Sequence, residues 1–218
     1  MTTHLEQELE AIKRRVFEMA DLAIESVAKA VESLKKGDTR AAKEIVGNDS
    51  RLDRLEVEID EECIRLLVTR QPAAVDLRFV LAMLKINTDL ERIGDLASNI
   101  ACETIRQEGR PSLKPLVDIP RMSEIAVRMI RGAFQSMTEM NAEAARVVIE
   151  SDREMDDLNL QVYRELFSYM AEKPEIISQA LGLIMAAKAL ERIGDHATNI
   201  AERIIYYIEG IDIRHLEE

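Results

Sequence analysis

The chain has 218 residues, of which 47% are hydrophobic and 32% charged, and its formal net charge is −12. That balance is the one found in folded soluble proteins and excludes a disordered chain; the acid excess excludes a nucleic-acid binder, which needs a basic stripe to meet phosphates. Only 4% of residues are aromatic and there is no Trp, while Ala, Leu, Ile, Glu and Arg are abundant, so helix is favoured over sheet.

The amino terminus, M-T-T-H-L-E-Q-E-L-E, is acidic and lacks the apolar core of a signal peptide. No run reaches the ~18–20 apolar residues of a membrane span. A cytoplasmic location is expected, with any membrane association made through a partner.

From Leu5 to Lys36, the residues Leu5, Leu9, Ile12, Val16, Met19, Ala23, Val27, Ala30 and Leu34 recur at spacings of three and four, which predicts one long amphipathic helix. Gly37-Asp38-Thr39 ends it and caps the next, Gly suiting the left-handed position after a helix and Asp or Thr an N-cap. A second helix is predicted over 40–70, with Ile45, Leu52, Leu55, Ile59, Cys63 and Leu66 inward and Pro72 as its breaker. A third runs over 73–107. Gly109-Arg110-Pro111-Ser112-Leu113-Lys114-Pro115 is the one clear linker, and Pro120 starts a fourth helix that reaches to about 139. A fifth is predicted over 142–171, and Lys173-Pro174 turns it into a sixth that ends near Gly210. The predicted fold is all-α, two tandem pseudo-symmetric three-helix bundles: residues 1–108, a linker over 109–119, and residues 120–218. Cys63 and Cys102 fall within predicted helices without C-x-x-C spacing and are read as small buried thiols.

The halves are repeats. L-E-R-I-G-D-L-A-S-N-I-A from Leu90 recurs as L-E-R-I-G-D-H-A-T-N-I-A from Leu190, with only Leu96/His196 and Ser98/Thr198 differing. Upstream, Asp49, Asp53, Leu55 and Ile59 correspond to Asp152, Asp156, Leu158 and Val162 at an offset of 103 instead of 100, so the second half has three fewer residues between its motifs. The shortening is expected in the connection between the fifth and sixth helices, as loss of part of the Q-P-A-A-V-D-L-R segment.

In each repeated motif a Glu and an Asp lie four apart, Glu91 with Asp95 and Glu191 with Asp195. Like charges at that spacing share a helical face and repel. Folding each helical hairpin at its predicted turn, near 71 and 173, brings Asp49 and Asp53 to the height of Glu91 and Asp95, and Asp152 and Asp156 to that of Glu191 and Asp195. Each hairpin then gathers four carboxylates at the margin of its core, with Glu56, Asn99 and Asn199 as candidates to support them. Four such groups cannot all stay ionised and unpaired. Protonation is one escape. Pairing with Arg92 or Arg192 is a second, although each points about 100° away from its neighbouring Glu. A hard cation on oxygen ligands is the third, and a solvated acidic groove needs none of them. Magnesium, manganese and calcium suit this donor class.

Other chemistry is sparse. A Glu-x-x-His di-iron pattern is missing from the three histidines His4, His196 and His215, and no Ser-His-Asp set, P-loop or G-x-G-x-x-G occurs. His196 is read as an exposed or interdomain residue. Gly94 and Gly194, costly inside a helix, are read as permitting close helix approach.

Arg70-Gln71-Pro72 with Asp76-Leu77-Arg78, L-E-R-I-G-D twice, D-H-A-T-N-I-A-E and the tail I-Y-Y-I-E-G resemble the PhoU family of bacterial and archaeal phosphate-signalling regulators. The resemblance spans nearly the whole chain. It implies two three-helix bundles and an E(D)-x-x-x-D motif on facing helices, here Asp49/Asp53, Glu91/Asp95, Asp152/Asp156 and Glu191/Asp195. It also implies multinuclear iron or zinc clusters as in some members, and a non-enzymatic role restraining the Pst phosphate transporter and signalling phosphate sufficiency to the PhoR sensor kinase. Asn159 stands where the first repeat has Glu56, which makes the second site poorer by one acid. The competing reading is a carboxylate-bridged metalloenzyme or a metal store. A homodimer is the expected assembly, with no evident interface stripe.

Overall fold

The computed structural model describes residues 4–113 and 116–213; linker positions 114 and 115 and His215 lie outside the described residues. Helix α1 (His4–Lys36) is followed by α2 (Thr39–Asn48), α3 (Ser50–Arg70) and α4 (Ala74–Arg106). The second repeat runs through α5 (Asp118–Glu139), α6 (Ala142–Glu150), α7 (Asp152–Glu172), a 3-10 turn (Pro174–Ile176) and α8 (Ile177–Glu209). The all-α, two-repeat architecture stands. The predicted second and fifth helices are each interrupted, at Asp49 and at Ser151.

Gly37 adopts φ +66°, and Asp38 Oδ1 accepts from the Ala41 N–H at 3.0 Å, so the turn after α1 forms as its residues predict. In the second repeat Met140 takes the left-handed position and Asn141 caps α6 through Ala144 N–H at 3.1 Å. Arg70 ends α3 and Ala74 begins α4, whereas their counterparts Lys173 and Pro174 are adjacent. The three missing residues are therefore the equivalents of Gln71, Pro72 and Ala73. The tighter connection starts with the 3-10 turn that Pro174 opens.

Ile12, Val16, Met19, Ala23, Val27 and Ala30 of α1 are all buried, as their spacing requires. The core is continuous through both repeats because α4 and α8 pack along each other, with α1 behind α4 and α5 behind α8. Phe79 meets Tyr207, Asp89 meets His196 and Arg110 meets Ser178, so numbers rise along α4 as they fall along α8: the two helices are antiparallel. A pseudo-two-fold thus relates the halves and sets Glu91/Asp95 and Asp195/Glu191 at one height in the middle of the molecule. Phe17 and Phe134, edge to face at 5.0 Å, join α1 to α5.

Candidate metal centre

Both helix interruptions fall at the acidic sites. Asp49 sits between α2 and α3, and its carbonyl accepts from the N–H groups of Leu52 (2.9 Å) and Asp53 (3.4 Å). In the second repeat Ser151 makes the break, its Oγ donating to the Val147 carbonyl at 2.9 Å, and Asp152 opens α7. Asp53 and Asp152 thus occupy the first turns of new helices, where the positive end of the helix dipole favours negative charge.

The glycines let these ends come close. A Cβ on Gly94 would lie 2.4 Å from Leu52 Cδ1 and 3.6 Å from Asp49 Oδ1; on Gly194 it would lie 3.0 Å from Asp152 Oδ1 and 3.3 Å from Met155 Cγ. The close-approach reading of both residues holds.

The structure brings the predicted acids of each repeat together. Burial pushes the Asp49 carboxyl up, Ser98 counters by hydrogen bonding to it, and the charges of Asp95 and Asp53 push it up further. Glu91 is raised by burial, then by Asp95, with Glu56 and Asp53 adding to the effect. Glu56 is raised by burial and by Asp60, so it joins the cluster as a carboxylate in its own right. In the second repeat burial, followed by Asp156, Asp195 and Glu191, raises Asp152 to about 6. Asp195 is raised by burial and by Glu191, opposed by Lys188. Asp53, Asp156 and Asp195 reach solvent, placing both clusters at the surface margin of the core.

Cationic side chains already partner some of the acids, which corrects the azimuth argument. Arg92 does turn to its neighbours, Nε lying 3.4 Å from Glu91 and Nη1 3.6 Å from Asp95, because a guanidinium on a long stem reaches back across the helix face. In the second repeat the partner is Lys188, one turn before Glu191 and 2.6 Å from it, rather than Arg192. Asn199 donates to Asp89 at 3.4 Å beside the 2.8 Å His196–Asp89 contact, so it serves the seam between repeats, where His196 also lies. Asn99 is exposed.

Sequence reasoning missed Asn87 as a connector. Fully buried, it donates from Nδ2 to the Glu56 carbonyl and to Asp60 Oδ1, both at 2.9 Å, tying α4 to α3. Asp60, one turn beyond Glu56, was the signal available. The second repeat has Ala187 there.

Whether these residues suit a cation is answered by their chemistry and their placement. The donors are hard oxygens in excess over their cations, and Asp152 Oδ1 is a buried acceptor with no donor; Thr198 Oγ1, which stands where the first repeat has Ser98, is likewise without a partner. As placed, no group of three His, Cys, Asp or Glu among the described residues is drawn close enough to hold an ion. The donor chemistry is of the class that suits a hard cation, while in this structure Arg92 and Lys188 supply the countercharge.

A PhoU domain model matches residues 16–104 and again 119–204, covering both repeats. The chain belongs to the PhoU family. A phosphate-specific transport system accessory protein PhoU homolog from Pseudomonas aeruginosa is 38% identical over 222 residues, covering 99% of this chain and 91% of that protein. A homolog of the same description from Aquifex aeolicus is 42% identical over 209 residues, 96% of this chain and 95% of that one. The crystal structure of PhoU from P. aeruginosa superposes with a TM-score of 0.91 at 37% identity, over 95% of this chain and all of that one. The PhoU structure from Streptococcus pneumoniae shares the fold at a TM-score of 0.90 and 24% identity, over 96% and 99% of the two chains. Among the described residues no helix is long and apolar enough to cross a membrane.

Proposed function

We propose that this PhoU-family chain is a cytoplasmic accessory regulator of phosphate-specific transport, an adaptor that represses phosphate-responsive genes when phosphate is plentiful. The observation that carries this reading is the match of both repeats, end to end, to relatives named as accessory proteins of the phosphate-specific transport system. Its partners in this reading are the cytoplasmic side of the Pst transporter and the PhoR sensor kinase. An adaptor shifts a partner's equilibrium only by binding its two states unequally, so its work is done by surfaces and needs no catalytic group.

The two acidic clusters belong to the same reading. Asp49, Asp53, Glu91 and Asp95 would hold one cation set, and Asp152, Asp156, Glu191 and Asp195 the other, with iron or zinc as the resident metal. Bound metal supplies countercharge, neutralising acids that the fold keeps partly out of water. The protein's own residues do the rest: the glycines admit α3 and α7, Ser98 orients Asp49, and Asn87 fixes the first hairpin.

Deletion of the gene tests the regulatory reading. Alkaline phosphatase and phosphate-uptake genes should then be active in phosphate-rich medium and fall silent on complementation. Normal repression in the deletion strain would overturn it.

A further inference from the structure

The layer formed by α3, α4, α8 and α7 carries apolar side chains that the core does not use. On α3, Val57, Ile64 and Val68 are 55%, 56% and 71% exposed and share a stripe opposite the buried Ile59, Cys63 and Leu66. The same positions of α7, 103 residues on, carry Leu160 and Phe167, the latter 60% exposed. On α4 and α8 the exposed pairs Leu77/Leu81 and Ile177/Leu181 correspond at the offset of 100. These are the offsets that relate the acidic motifs, so the pads were duplicated with the clusters. Scattered surface hydrophobics are ordinary, but a repeated set on one layer marks a contact surface.

The pads and the acids are in register. Leu77 and Leu81 precede Glu91 and Asp95 by 14 residues each, and Ile177 and Leu181 precede Glu191 and Asp195 by the same step. Fourteen residues return almost to the same side of a helix and span about 21 Å. Each central helix therefore presents an apolar pad at its hairpin end and a carboxylate pair toward the molecular centre. Because α4 and α8 are antiparallel, the layer has an acidic middle and an apolar pad at either end.

We propose that this layer docks a protein partner offering each repeat one amphipathic helix, apolar at one end and basic at the other. Charge complementarity chooses that occupant for the metal-free protein, in which both clusters keep their acid excess. A second copy of this chain would set acid against acid across the middle, and an anionic lipid surface would be repelled by the same carboxylates. Arg92 and Lys188 offset part of the charge, but each is taken up by the cluster it stands in. The inference rests on the adaptor reading and names the chemistry of what the adaptor holds.

The probe is a synthetic helical peptide of about 18 residues, with two turns of leucine at one end and two of arginine and lysine at the other. Its control is a peptide of the same composition in scrambled order. Titration calorimetry on the full chain in chelator should give two peptides per chain, bound at least ten times more tightly than the control. Leu81→Ser should leave one site, and Leu81→Ser with Leu181→Ser none, the helical circular dichroism being unchanged because both side chains are exposed. No binding, equal affinity for the scrambled peptide, or indifference to both substitutions overturns the proposal. So does a wild-type dimer in sedimentation that the double variant dissociates, since a second copy would then cover the layer. The regulatory reading is tested apart from this one by the deletion strain: if the double variant still restores repression there while peptide binding fails, docking lies elsewhere and the adaptor role stands.

Discussion

Asp152→Asn should stabilise the metal-free protein at neutral pH. Asp152 is held at about 6 against an ordinary 3.8, first by burial and then by Asp156, Asp195 and Glu191. That difference corresponds to about 3 kcal/mol between the protonation states, which partial exposure to water reduces to about 1–2 kcal/mol. Because the folded-state value lies above the unfolded one, the native state binds the extra proton between about pH 4 and 6, and stability falls as pH rises through that window. Above it the penalty is fully developed. Removing the charge abolishes the penalty, less about 0.5 kcal/mol for a favourable acid lost from the first turn of α7. Urea unfolding in chelator at pH 4, 6 and 8 measures this. The wild type should lose about 1–2 kcal/mol relative to Asp152→Asn between pH 4 and 8, and the variant should be the more stable of the two at pH 8. A variant equal to or weaker than wild type at pH 8 would show that the buried oxygen carries no electrostatic strain.

Gly94→Ala drives a Cβ to 2.4 Å from buried Leu52 Cδ1; the packing cost of about 1–3 kcal/mol exceeds the helix-propensity gain of about 1 kcal/mol, so the melting temperature should drop by about 2–4 °C. Asn87→Ala removes the hydrogen bonds to the Glu56 carbonyl and to Asp60 Oδ1 and should cost about 2 kcal/mol in chemical denaturation, while Ala187→Asn in the second repeat, where Tyr163 stands in place of Asp60, should give no comparable gain. Asp38→Ala removes the side-chain cap of α2 and should cost about 1 kcal/mol in the same assay.

The helices were legible because apolar spacing and capping residues agree: Gly37 and Asp38 announce the first turn, and Ile12 to Leu34 announce the buried stripe of α1. The breaks at Asp49 and Ser151 were not, since neither Pro nor a positive-φ Gly marks them. They fall where the first turns of α3 and α7 pack against Gly94 and Gly194, a tertiary contact. The acidic quartets were legible from an internal repeat and a hairpin count. What pairs with them was not: Arg92 and Lys188 reach their partners through side-chain length that a helical wheel ignores. The antiparallel contact of α4 with α8 was also hidden, though Leu96/His196, a difference between the repeated motifs, lies on that seam opposite Asp89.

Elemental analysis of the protein purified without chelator tests the central claim, that the duplicated carboxylates close each hairpin around cations. Wild type should carry iron or zinc, Asp95→Asn or Asp195→Asn should each lower the content, and the double variant should lower it most. Metal content unchanged by both substitutions would contradict it.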